Sequence, residues 1–184
     1  MEDNIILYHG TNTQFNKIDV KKFKKFKDFG EGFYLTPNFE QAYDFANNKV
    51  KYFGGKKSIN KYEIPKEIIK KLNILNLNKE TVETWLGIIC INRKIEIYGI
   101  NFDESYYKNL CKNNDIIIGK VFDNNFNKII ENYNTQKINN IKYLINKLQM
   151  LNYIQYRFSV KAVKDIDIDK YLVKETGGVS LEWN

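Results

Sequence analysis

A chain of 184 residues is the length of one domain, long enough for one sizeable core. Apolar residues at 43% and charged residues at 28% give the balance of a soluble globular protein rather than a disordered one. Lysine and arginine outnumber aspartate and glutamate by 29 to 22, a net charge of +7 that suits an anionic partner, although a chain rich in Asn, Ile and Lys reaches that charge by composition alone.

Taken in order, Ile5 to Tyr8 is a short β-favouring run that delivers His9, the single histidine, at its end. Residues 12 to 31 lack a steady period and carry the lysine run from Lys21 to Lys27. They close on Asp28-Phe29-Gly30-Glu31-Gly32, where glycines let backbone approach a ligand. Phe33 to Thr36 reads as a second strand stopped by Pro37, and Asn38 is placed to cap a helix whose Phe39, Ala42, Tyr43 and Ala46 share one face.

Ile59 to Ile64 is a third strand, and Asn78 to Arg93 a helix with Asn78 as its cap candidate and Trp85 on its buried face. Residues 95 to 114 read as irregular. Asp115 to Phe122 is a buried strand containing Gly119, followed by Asp123 and a short helix through Ile129 and Ile130. The spacing of Ile138, Ile141, Ile145 and Leu148 predicts a helix over 137–151, and the alternation from Tyr153 to Val160 predicts a strand. The segment 168–184 is expected as a C-terminal strand or arm. Strands and helices intersperse without βαβ regularity, so the fold class expected is α+β, one domain over 1–184, with a largely antiparallel sheet.

Cys90 and Cys111 form neither a disulfide framework nor a zinc spacing, and no metal is expected. No signal peptide and no membrane-spanning run is legible, so the expected location is the cytoplasm, with later delivery into a host or competitor cell compatible with that. A monomer without a membrane partner is expected.

Three separate stretches carry the chemistry. His9-Gly10-Thr11 offers an imidazole, a bare backbone and a hydroxyl, suited to gripping a ribose and a carboxamide. Gly32, Phe33 and Tyr34 place an aromatic face after two glycines, suited to a flat ring. Gln155 offers an amide that both donates and accepts, on a strand late in the chain.

These stretches resemble the ADP-ribosyltransferase superfamily, and specifically its bacterial DUF3990-type members. The resemblance continues through Gln41-Ala42, Phe45-Ala46, Trp85-Leu86, Asn92-Arg93, Asp115 to Val121 and Gln155 to Phe158. It implies a split, largely antiparallel β core with an NAD-binding cleft flanked by helices. It also implies that His9 holds the nicotinamide-side ribose, Gly10 the carboxamide, Thr11 the adenine-side ribose, and Tyr34 the nicotinamide ring, with Gly32 and Phe33 beside it. Gln155 falls where the superfamily usually keeps a glutamate; Glu31, then Asp123, are the candidates for a base. The function implied is NAD+-dependent mono-ADP-ribosylation of a protein side chain by an effector or toxin. Some family members modify a threonine of host ubiquitin, which makes ubiquitin one candidate acceptor. The alternatives are a toxin acting on nucleic acid and a non-catalytic NAD- or protein-binding module.

Overall fold

The computed structural model describes residues 3–122, 125–148 and 150–173. The elements run β1 (Asn4–Thr11), β2 (Phe33–Leu35), α1 (Phe39–Phe53), β3 (Ser58–Pro65), α2 (Lys66–Ile69), β4 (Ile74–Asn76), α3 (Val82–Arg93), α4 (Glu104–Asn113), β5 (Ile116–Phe122), α5 (Phe126–Thr135), α6 (Ile141–Lys147), β6 (Met150–Phe158) and α7 (Val160–Asp165). The fold is α+β.

Its strands form two sheets. β1 and β3 pair antiparallel over their whole lengths, from Asn4 opposite Pro65 to Thr11 opposite Ser58. The second sheet has the order β2-β6-β5-β4; its contacts are antiparallel except for β4 with β5. Among the described residues the sheets meet at one bridge, where Tyr8 and Thr36 exchange backbone hydrogen bonds of 2.7 and 3.0 Å. Past that bridge β1 and β2 part.

The alternation of side chains along the strands sorts the interior into two cores. Phe33, Leu35, Ile116 and Phe158 point to one side and pack with Leu7, Tyr62, Ile64, Val163 and Ile168. Ile117 points to the other, with Phe29, Leu77, Trp85, Leu86, Ile88, Ile89 and Phe126, and Tyr34 is packed against them. Tyr34, Gln155 and Arg157 share this second side, because Tyr34 faces Arg157 across the ladder and Gln155 is two residues away.

Local chemistry sets the helix ends. Asn38 accepts from the Gln41 N–H at 2.8 Å and starts α1 as the sequence predicts. α3 begins later than expected, because Asn78 lies in a 3-10 turn over Leu77–Lys79 and Thr81 supplies the cap, accepting from Thr84 N–H at 3.2 Å. The stretch read as irregular contains α4, capped by Asp103, with Tyr107, Leu110 and Cys111 turned to the core. The helix expected over 137–151 shrinks to Ile141–Lys147. Lys137 takes a left-handed backbone with φ of 50°, Asn140 caps at Tyr143, and Leu148 is already extended. Val160 opens α7 rather than ending a strand, since the Ser159 side chain caps Ala162 at 3.0 Å. Of the C-terminal arm, Ile168–Tyr171 forms a 3-10 turn and Val173 N–H donates to Lys61 O at 2.9 Å; residues 174–184 and Asp123 lie outside the described residues.

Candidate functional site

The parting of β1 and β2 gathers His9, Gly10 and Tyr34 at one seam. His9 Nδ1 lies 2.8 Å from the Tyr34 carbonyl oxygen. A carbonyl only accepts, so Nδ1 carries the proton and Nε2 is left as an acceptor. The imidazole stacks on Phe33 at 4.7 Å between centroids and meets the edge of Phe15 at 5.7 Å. Burial among these rings lowers its pKa to about 4, the Tyr34 carbonyl pulling the other way and Lys49 adding to the lowering. His9 is therefore neutral at physiological pH, in one fixed tautomer.

Gly10 lies directly against the backbone of α1. A Cβ there would meet the Ala42 carbonyl oxygen at 1.9 Å, so the missing side chain is what lets α1 lie on β1. Because Tyr8 turns its peptide groups toward β2, Gly10 two residues on turns its own the same way, into the parted edge. Lys49, reaching down from α1, donates to Gly10 O at 3.5 Å. Thr11 is buried at 6% exposure, and its hydroxyl accepts from Thr13 N–H at 3.3 Å, which turns the chain out of β1.

Tyr34 is half-buried and doubly tied. Its hydroxyl donates to Gly30 O at 2.6 Å and accepts from Phe29 N–H at 3.1 Å, while its ring stacks on Phe29 at 6.4 Å. Burial pushes the phenol well above its usual range. The hydroxyl is spent on the loop, so the ring face is what remains for a ligand. Phe33 is core, at 4% exposure. Gly32 is also buried, and its bareness lets β6 pass: a Cβ would meet Phe158 O at 2.4 Å. Glu31 is exposed at the outer turn of the loop.

Arg157 fixes that loop from below. Only 3% exposed, it donates to Phe29 O at 2.9 Å, Cys111 O at 2.8 Å and Asn114 O at 3.4 Å, tying the glycine loop, α4 and β6 together. Asp28 is held by Arg93 through an ion pair, and Gly30 keeps a φ of 82° beside Asn92. Gln155 sits opposite Gly119 on β5, half-buried. Continuing the β2–β6 register brings Thr36 level with Gln155, so the Tyr8–Thr36 bridge and Gln155 fall on one line across three strands.

Two residues at the seam escape the sequence patterns. Lys49 reads as solvent-facing on α1, yet it lies over the Phe45 ring at 4.7 Å, and partial burial with Lys27 and Lys24 nearby lowers its pKa to about 8. Lys27 is lowered for the same two causes, burial and Lys24. Three ammonium groups drawn together, two of them partly dehydrated, form a place where an anion is favoured. Arg157 is the other, since nothing local in the alternating run 153–160 marks its guanidinium as a loop anchor.

A separate cavity of about 440 Å³ lies between α5 and α6, lined by residues such as Asn132, Tyr133, Tyr143 and Lys147, and holds none of these groups. Among the described residues no cluster of three His, Cys, Asp or Glu is placed to hold a metal, and no helix is long and apolar enough to cross a membrane.

The class defined by this architecture is an α+β protein with a neutral histidine at the seam of two sheets. The chain belongs to the DUF3990 family, described as a protein of unknown function, whose model matches residues 5–171. No curated protein and no solved structure matches it.

Proposed function

We propose that the chain is an NAD+-dependent mono-ADP-ribosyltransferase of the split-sheet type, acting on a protein side chain as an effector or toxin. The observation that supports this reading is the His9–Tyr34 carbonyl bond: it leaves Nε2 as a fixed acceptor one residue from the Gly10 peptide, whose carbonyl oxygen accepts from Lys49 at 3.5 Å. A ribose hydroxyl suits the first and a carboxamide the second. The Tyr34 ring supplies a flat wall for nicotinamide, and Lys24, Lys27 and Lys49 supply charge for the diphosphate.

In the reaction the bond from ribose C1′ to nicotinamide breaks, and nicotinamide leaves neutral with the electron pair. An acceptor oxygen bonds to C1′ and loses its proton. The cationic transition state asks the protein to hold NAD+ bent rather than to supply strong acid–base chemistry. A neutral His9 adds no positive charge opposing that state. Gln155 orients a hydroxyl but takes no proton; exposed Glu31 is the first candidate to receive it. The threonine hydroxyl of ubiquitin is the acceptor to try first.

A second reading, with nucleic acid as acceptor, is favoured by one surface. Phe26, Phe45, Tyr52 and Phe53 are exposed at 55%, 43%, 72% and 75%, each with a lysine over its ring. Exposed rings among lysines are the composition that binds single strands.

The test is incubation with labelled NAD+ and either ubiquitin, bacterial lysate, eukaryotic lysate or single-stranded RNA, with labelled species identified by mass spectrometry. Transfer to protein that is lost in His9→Ala, by a factor of at least about 100, is expected. Labelled RNA alone selects the second reading. NAD+ or ADP-ribose binding without nicotinamide release in any mixture replaces both with a binding module.

A further inference from the structure

Two polar groups on the helix-covered face of the larger sheet have no partner among the described residues. Among the described residues the Trp85 indole N–H has no hydrogen-bond partner, in a residue only 3% exposed. Among the described residues the Gln155 side chain makes no hydrogen bond either. An unpaired buried N–H costs roughly 1–3 kcal/mol, so a nearby acceptor is strongly preferred.

The ladder brings the two side by side. Gly119 faces Gln155 directly across β5 and β6, so whatever lies over Gly119 lies beside the Gln155 side chain. What lies there is the polar edge of the indole: a Cβ on Gly119 would stand 3.0 Å from Trp85 Nε1 and 2.8 Å from Phe29 Cζ. Directly opposed residues have Cβ atoms about 5 Å apart, which puts the Gln155 Cβ at most about 8 Å from Nε1. A glutamine amide with one hydrogen bond spans about 6.5 Å from Cβ. The two meet if the indole leans toward β6 by an ångström or two. A side chain at 119 would displace the indole from this place; glycine keeps it open.

We propose that Trp85 is a positioning residue for Gln155: its N–H holds the Gln155 side-chain oxygen, so that the NH2 end is presented to the ligand. The proposal rests on the transferase reading for its purpose and not for its geometry. An indole N–H donates only, so it selects one of the two amide orientations. Gln155 then faces the ribose as a donor to a hydroxyl oxygen. The same N–H would receive a carboxylate at this position, which makes Gln155→Glu a tolerated change while Trp85 is present.

The deciding measurement needs no NAD+. In proton–nitrogen spectra of the 15N-labelled protein, two indole signals arise from the two tryptophans; Trp183→Phe and Trp85→Phe assign them. The Trp85 signal is expected to move in Gln155→Leu further than the core amides around it; an unmoved signal overturns the proposal, whether or not Trp85→Phe folds. The second measurement is single-turnover NAD+ cleavage by Trp85→Phe, Gln155→Leu and the double variant. Each single change is expected to lower the rate about tenfold at nearly constant NAD+ affinity, and the double variant to match Gln155→Leu, because coupled groups do not add. Additive losses, near a hundredfold, overturn the proposal. If the wild type releases no nicotinamide, the transferase reading fails while the indole signal still decides the contact.

Discussion

His9 and Tyr34 share one hydrogen bond and leave it in opposite directions. The imidazole lies among Phe33 and Phe15 on one side of β2; the phenol lies over Phe29 on the other. The histidine spends one nitrogen on structure and keeps the other. The tyrosine spends its hydroxyl twice, on Gly30 O and Phe29 N–H, and keeps only a ring face. On the proposed transferase reading, the residue with a spare lone pair serves as the chemical group and the other as a wall.

The contrast depends on β1 and α1 staying in register, and Gly10→Ala breaks it most severely. The new methyl would stand 1.9 Å from the Ala42 carbonyl oxygen, so helix and strand must separate. A loss of about 4 kcal/mol or more in urea unfolding is expected, with Gly32→Ala similar because it strikes β6. Tyr34 separates its two roles more finely. Tyr34→Phe keeps the ring and frees the loop, and should cost about 1–2 kcal/mol of stability while NAD+ cleavage stays within about threefold. Tyr34→Ala removes the wall as well, and should raise the NAD+ concentration needed for half-maximal rate by at least about tenfold.

The smallest effect is on pH dependence. With its folded pKa at about 4 against an ordinary 6.5, His9 stays neutral in the folded chain while the unfolded chain takes up a proton between those values. The unfolded state then binds more protons, so stability falls as pH drops from 6.5 toward 4. NAD+ cleavage should vary by less than about twofold between about pH 5.5 and 7.5. Above pH 8 Lys49 loses its charge, and the NAD+ concentration required should rise. A rate inflection near 6.5 would show the imidazole to be solvated rather than stacked on Phe33.

The sequence made much of this legible, unevenly. The runs ending at His9 and beginning at Phe33 are short, apolar and punctuated by glycine and proline, so strands and loop could be read directly. Asn38 announced α1. What escaped depended on partners distant in the chain. β4 has three residues and is recognisable only beside β5. The glycines at 10 and 32 read as room for a ligand, whereas their immediate neighbours are α1 and β6. α4 carries its apolar residues at 107, 110 and 111 amid tyrosines and lysines, too sparse a stripe to announce a helix. Lys49 looks like any exposed lysine until Lys24 and Lys27 are set beside it.

The placement of β6 has a consequence for the order in which the protein comes into being. It lies between β2 and β5, and Arg157 reaches back 128 residues to the Phe29 carbonyl. A ribosome that has made His9, Gly10 and Tyr34 has not yet made the strand that holds the glycine loop in place. The β1–β3 ladder can close once Pro65 is made, but the wall of the seam must wait for residues 150–158. Synthesis therefore carries its own delay, during which the growing chain holds the groups of the site without their arrangement.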